Sequence, residues 1–172
     1  MKIYKYFAIF ITLLCIFPES HGKDISIKKN EILVEFDRNG NYSETIDVEA
    51  KILSQSAIAM RRSINLKKTN NILHFEVVQA SYKNKLEANK KAEILHDTDQ
   101  GLSIVFRDIA VGDEIKYKLR IYYQAIVPKS PSLVYKFDSD MKDNPIEVNV
   151  VYPASLELKF ETNLLISTPR KK

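Results

Sequence analysis

Residues 114–124 read Glu-Ile-Lys-Tyr-Lys-Leu-Arg-Ile-Tyr-Tyr-Gln. Ile115, Tyr117, Leu119, Ile121 and Tyr123 fall on one face of an extended chain, with Lys116, Lys118, Arg120, Tyr122 and Gln124 on the other. A helix would scatter these residues around its axis, whereas a strand sends alternate side chains to opposite faces. The stretch is therefore a strand with one buried face and one solvated, cationic face.

The same period recurs on both sides of it. Ile46, Val48, Ala50 and Ile52 alternate with Asp47, Glu49 and Lys51; Ile146, Val148, Val150 and Tyr152 form a third run; Leu156, Leu158 and Phe160 form a fourth. Glu31–Phe36 leads into Asp37-Arg38-Asn39-Gly40-Asn41, whose Asn-Gly step predicts a hairpin turn into the strand opened by Tyr42. Leu73, Phe75 and Val77 sit out of phase with Val78, Ala80 and Tyr82, as in a strand that switches its buried face or is buried on both. Leu102–Phe106 is a short apolar strand, turned by Val111-Gly112-Asp113 into the long one, and Leu133, Tyr135 and Phe137 predict another. Ser54–Arg62 has the residues for one or two helical turns or a bulged link. Lys83–His96 fits a weakly docked helix, a solvated loop or a polar strand pair.

So many strands with tight turns predict an all-β fold, an antiparallel two-sheet β-sandwich, with an irregular β-barrel as the alternative and room for one short helix. The 172 residues suit one domain, expected over 23–172, and 45% apolar with 28% charged residues is the balance of a folded globule. The βαβ rhythm and glycine-rich phosphate loop of nucleotide-binding folds are absent from the sequence.

Residues 1–22 have a different character. Lys2 and Lys5 precede an uncharged, largely apolar run from Tyr6 to Phe17, which Pro18 ends before Ser20-His21-Gly22. Charged, apolar, then small is the order of a secretory signal peptide, and the expected cleavage follows Gly22. An uncleaved N-terminal anchor is the alternative, and cleavage leaves no membrane span. The expected location is therefore periplasmic or secreted. Cys15, the single cysteine, lies inside this run behind Leu14, where a lipidation signal would carry a small residue. The mature chain then has no thiol, which excludes a cysteine nucleophile, a thiolate zinc site and a disulfide scaffold.

The remaining chemistry is sparse. His74 and Glu76 share a strand face as two metal-type ligands, without a third identified by spacing; His96-Asp97-Thr98-Asp99 has the look of a polar turn before Gly101. No G-x-S-x-G nucleophile elbow occurs. Carboxylate pairs of the glycosidase kind meet in space and leave no spacing to read, and the lack of tryptophan weakens a sugar cleft. Neither a catalytic set nor a cofactor or metal site is expected. Net charge is +4, and Arg61-Arg62, Lys67-Lys68, Lys83, Lys85 and Lys90-Lys91 are interleaved with acids and amides, which excludes a nucleic-acid stripe. Asn41-Tyr42-Ser43 reads as part of the hairpin. One patch stands out as an interaction surface: the cationic row Lys116, Lys118 and Arg120 with the adjoining turn at Gly112 and Asp113.

Three motifs, in order and at matching spacing, resemble a known family. They are Asp37-Arg38-Asn39-Gly40-Asn41-Tyr42, the run from Leu102 through Val111-Gly112-Asp113 to Tyr117, and Ile146-Glu147-Val148-Asn149-Val150-Val151-Tyr152-Pro153. Over about Glu31 to Phe160 the chain resembles the family called domain of unknown function 3857, the N-terminal β-domain of exported bacterial transglutaminase-like proteins. The resemblance implies a sandwich fold and an accessory role, with the family's catalytic residues in a following domain. Tyr82-Lys83-Asn84-Lys85 stands where that family writes Pro-Asp-Gly, and this sequence ends at Lys172 without the second domain.

The expected function is that of an exported, non-enzymatic domain that binds or scaffolds another envelope protein or a transglutaminase-like domain. Two alternatives are the N-terminal part of a transglutaminase- or protease-like enzyme whose catalytic domain is missing, and a surface or adhesion module. The sequence leaves the oligomeric state open.

Overall fold

The 114–124 stretch forms a strand in the interior of the larger of two sheets. The computed structural model describes residues 24–83, 89–97, 101–126, 146–156 and 170–171. Its strands are β1 (Ile25–Phe36), β2 (Tyr42–Ile52), β3 (Ser63–Lys67), β4 (Ile72–Lys83), β5 (Lys90–Lys91), β6 (Glu93–Asp97), β7 (Gly101–Val105), β8 (Glu114–Tyr123), β9 (Glu147–Tyr152) and β10 (Arg170–Lys171). One helix, α1 (Gln55–Arg61), joins β2 to β3. The large sheet has the order β10-β9-β1-β2-β8-β4-β5 and the small one β3-β7-β6. They form a sandwich-like pair that is not closed into a barrel.

Burial along β8 alternates without a break, and every odd-numbered residue from Ile115 to Tyr123 is buried. Against this face the small sheet sets Leu102 and Ile104, joined by Phe106, to make the main core with Val48, Ala50, Ile52 and Tyr82. A second cluster holds Ile32, Val34, Tyr42, Ile72, Ile121 and Tyr123, where the Tyr42 and Tyr123 rings stack with centroids 4.4 Å apart.

The predicted hairpin is present. The Asp37 carboxylate accepts from the backbone N–H groups of Asn39 and Asn41 at 2.8 and 3.0 Å, while Gly40 takes a φ of 87° that a side chain would resist. Helix α1 is capped by Ser54, whose hydroxyl accepts from the Ala57 N–H at 3.1 Å. The polar stretch after Lys83 resolves, within the described residues, into strands β5 and β6 rather than a helix. Gly101 has its own reason to be glycine. It has a φ of 140°, and a Cβ there would lie 1.7 Å from the Leu66 carbonyl oxygen on β3.

The face switch in β4 is a pair of β-bulges. Register against β8 shifts between Ile72 and His74 and again between Val77 and Gln79, so Leu73 and Val78 are the inserted residues. Phe75 and Val77 face the core before the second bulge, Ala80 and Tyr82 after it.

Two pairings depart from the antiparallel expectation. β9 lies parallel to β1, with Glu31 opposite Glu147 and Val34 opposite Val150, and β10 is parallel to β9. Alternation announces a strand but says nothing of the direction of its neighbour. The strand expected at Leu133–Phe137, the residues Leu158 and Phe160, and the whole of 1–22 lie outside the described residues. Leu156 is buried in the turn after β9. No helix among the described residues is long and apolar enough to cross a membrane.

Candidate interaction surface

The solvated face of β8 is flanked by β2 and β4, and the registers of those strands decide what its cations meet. Lys116 stands opposite Glu49, Lys118 opposite Asp47 and Arg120 opposite Thr45 on β2; Arg120 stands opposite Glu76 on β4. Because successive outward residues repeat every second position, a charge in one strand meets a charge in the next at cross-strand distance.

The row is therefore matched rather than free. Lys116 forms an ion pair with Glu49. Lys118 lies 3.4 Å from the Asp47 carboxylate, which also accepts from Lys29 on β1 at 2.9 Å. Arg120 lies 3.7 Å from Glu76 and donates to the Thr45 hydroxyl at 3.2 Å. The Tyr122 hydroxyl donates to Glu76 at 3.0 Å and accepts from Arg120 at 3.4 Å. Lys28, at the bulge of β1, pairs with Glu114 at the start of β8. What results is a mixed-charge lattice across β1, β2, β8 and β4.

Asp47 is its most enclosed member, at 8% exposure. Burial pushes its carboxyl up, but the hydrogen bonds and charges of Lys29 and Lys118 outweigh that and hold it below the ordinary value. Lys29 is raised in return, chiefly by its hydrogen bond to Asp47 and then by Glu31. Glu114 is lowered first by its hydrogen bond to Lys28. Arg120 is raised, with the Tyr122 hydrogen bond as the leading cause.

Gly112 and Asp113 do not continue this surface as expected. Asp113 is 2% exposed, and its carboxylate accepts from the Ala110 N–H at 2.8 Å inside the turn. Its carbonyl accepts from Ile52 at 2.9 Å, and the Gly112 N–H donates to the Ile52 carbonyl at 2.8 Å. With Gly112 at a φ of 96°, the pair locks the entry of β8 to the end of β2. Valine-glycine-aspartate is thus a turn device here: the aspartate caps backbone, and the glycine supplies the left-handed residue.

His74 and Glu76 do share a face, as their spacing requires. His74 is engaged by stacking on Tyr122 at 4.0 Å, and among the described residues no group of three or more His, Cys, Asp or Glu side chains could hold a metal ion. The side chains of His96 and Asp97 lie outside the described residues, as do Thr98 and Asp99. Asp47, absent from the sequence-derived patch, pairs with both Lys29 and Lys118. Its signal was present in the alternating 46–52 run; only the strand-to-strand register was missing.

No family model matches the sequence, and no curated protein matches it. Solved structures do. A candidate protease from Parabacteroides distasonis matches with a TM-score of 0.50 at 9% identity, over 59% of this chain and 23% of that one. An M1 zinc metallopeptidase from Deinococcus radiodurans also matches, at a TM-score of 0.34 and 12% identity, over 64% of this chain and 22% of that one. At these identities the first likeness is one of fold. The chain spans less than a quarter of the length of either protein.

Proposed function

We propose that the chain is an exported, non-catalytic β-sandwich accessory domain that docks onto another envelope component, its partner being a separate protein or a protease- or transglutaminase-like catalytic domain. One observation carries this reading. The sandwich recurs as a minor part of a larger chain, the candidate protease of Parabacteroides distasonis. The three motifs that resemble the domain-of-unknown-function 3857 family, with the apolar, cationic N-terminal segment of residues 1–22, support export and the accessory role.

The contact we assign to that partner is the outer face of β8. Since its cations are already balanced by Glu49, Asp47 and Glu76, it suits a partner with a mixed-charge polar surface and not a polyanion. Rim charges of this kind set orientation and association rate more than affinity.

The test has two parts. The intact mass of the native protein isolated from its own cell envelope is expected to match Lys23–Lys172, which places the partner on a separate chain. A mass well above that of the full sequence, with peptides following Lys172, assigns the partner to a further domain of the same chain. Crosslinking in the envelope then compares the native protein with the Lys116→Ala, Lys118→Ala, Arg120→Ala triple variant. Loss of the crosslinked species is expected, and an unchanged pattern removes this face from the reading.

A further inference from the structure

One end of the large sheet has features that neither the core nor the outer-face lattice uses. There β1 begins, β2 and β4 end and β8 begins, with Ile25 opposite Ile52 and both Lys51 and Lys83 opposite Glu114. Glu114 pairs with Lys28; that hydrogen bond first, and then the charges of Lys51 and Lys83, hold its carboxyl below the ordinary value. Three lysines thus surround one carboxylate, and among the described residues neither Lys51 nor Lys83 has an ion pair of its own. Exposed apolar side chains lie at the same rim. Leu53, at 42% exposure, follows Lys51 by two residues, and Val111, at 44%, precedes the Gly112 and Asp113 that hydrogen-bond to Ile52. Asp108, exposed in the same turn, is offset by exposed Arg62, whose carbonyl accepts from the Phe106 N–H at 2.9 Å. The rim therefore keeps a positive surplus beside uncovered apolar surface.

We propose that this rim rests on the surface of a lipid bilayer, with Lys28, Lys51 and Lys83 among anionic headgroups and Leu53 and Val111 in the interfacial layer. The path of the chain argues for that occupant. The Asp24 carbonyl accepts from the Leu53 N–H at 2.9 Å, so the chain enters the fold at this rim. The uncharged, largely apolar run Tyr6–Phe17 ends shortly before it, and the seven steps from Phe17 to Asp24 span at most about 25 Å. A membrane that receives the run has the rim tethered beside its headgroups. The chemistry of the rim agrees with that position. Each lysine near an anionic leaflet adds to binding, and exposed apolar side chains supply the second kind of contact that turns a weak attachment into a lasting one. A contiguous apolar patch rimmed by charge is also the composition of a surface that meets something other than water. None of Lys116, Lys118 and Arg120 takes part, so this proposal and the partner contact assigned to them can fail separately.

Flotation of the native protein with vesicles tests this, using phosphatidylcholine alone and phosphatidylcholine mixed with phosphatidylglycerol. Binding is expected to favour the anionic vesicles and to fall as salt is raised. The double variant Lys51→Gln, Lys83→Gln should bind them at least about tenfold more weakly. Lys67→Gln, Lys68→Gln removes the same charge from the link into Ile72, which stands opposite Tyr123 at the other end of β8, and should bind as the native protein does. Leu53→Ser, Val111→Ser reads the apolar half and should weaken binding at least about fivefold. Far-ultraviolet circular dichroism is expected to be unchanged in all three. Binding alike to both kinds of vesicle, unmoved by salt or by these substitutions, is the work of the N-terminal run alone and overturns the proposal. So does equal weakening by the lysine pairs at the two ends, which would report net charge and not this rim. A native protein that floats with neither vesicle overturns it as well, and loss of envelope crosslinks in Leu53→Ser, Val111→Ser would then give the rim to a protein.

Discussion

Asp47 gathers Lys29 and Lys118 onto one enclosed carboxylate, so its replacement reports directly on the outer-face lattice. Asp47→Asn is expected to lower stability by about 1–2 kcal/mol at neutral pH, because two lysines lose their charged acceptor while an amide still fills the space. The pH dependence has a definite sign. A carboxyl whose folded value lies below its unfolded value of about 3.9 stabilises the fold above that pH, and the contribution fades as pH falls through and below it. The native protein should therefore lose stability on acidification below about pH 4 more steeply than the Asn variant, in denaturant melts taken at several pH values. Tyr42 offers the opposite case. Its hydroxyl is buried without a hydrogen-bond partner among the described residues, and burial, with the Glu44 charge adding to it, raises its ionisation well above the ordinary tyrosine value. Tyr42→Phe keeps the stack on Tyr123 and removes the unpaired group, so stability should hold or rise by up to about 1 kcal/mol by chemical denaturation.

At the scale of the element, β4 shows what periodicity can and cannot disclose. The out-of-phase runs Leu73-Phe75-Val77 and Val78-Ala80-Tyr82 were readable as a change of buried face, and the structure supplies the cause, an inserted residue at Val78. Deleting Val78 should therefore leave a continuous strand with its apolar residues still on the core face, since Val77 and Gln79 already pair with the adjacent residues Leu119 and Lys118 of β8. The expected result is a cooperative thermal transition that persists in the deletion variant, as it should in Val78→Ala; loss of cooperativity on deletion would mean that the core faces on either side of Val78 are not both in register with β8. The hairpin at Asp37–Asn41 and the alternation of β8 were legible because each is written in neighbouring residues, while the short helix after Ser54 was one of two readings, a bulged link being the other. The parallel partnership of β9 with β1 was not, because pairing direction is decided by topology. The same holds for the surface. That Lys116, Lys118 and Arg120 share a face followed from spacing, but that Asp47, Glu49 and Glu76 neutralise them followed only from register. Asp113 was misread for a related reason: a charged residue in a turn looks exposed until its carboxylate is found on a backbone N–H.

The whole molecule is expected to unfold as one unit. Its two apolar clusters share Ile46, Leu66 and Phe75, so neither can loosen without disturbing the other. Ile104, fully buried where the small sheet meets the large one, is the place to test this. Ile104→Ala should cost about 2–5 kcal/mol through lost burial and the cavity left behind. Calorimetry should still show a single transition at a lower temperature; two separated transitions would mean that the sheets melt independently. The pairing of β1 with β9 has a consequence in time. Glu31 and Glu147 sit side by side although most of the domain's length separates them along the chain. During synthesis β1 can close its hairpin with β2 early, but its other edge waits until the last part of the sheet has been made. Contacts so distant in sequence slow folding, and the waiting edge is open meanwhile to any extended chain nearby. Refolding should accordingly run late in its final phase, and a chaperone that shields bare strands would act on β1 in that interval.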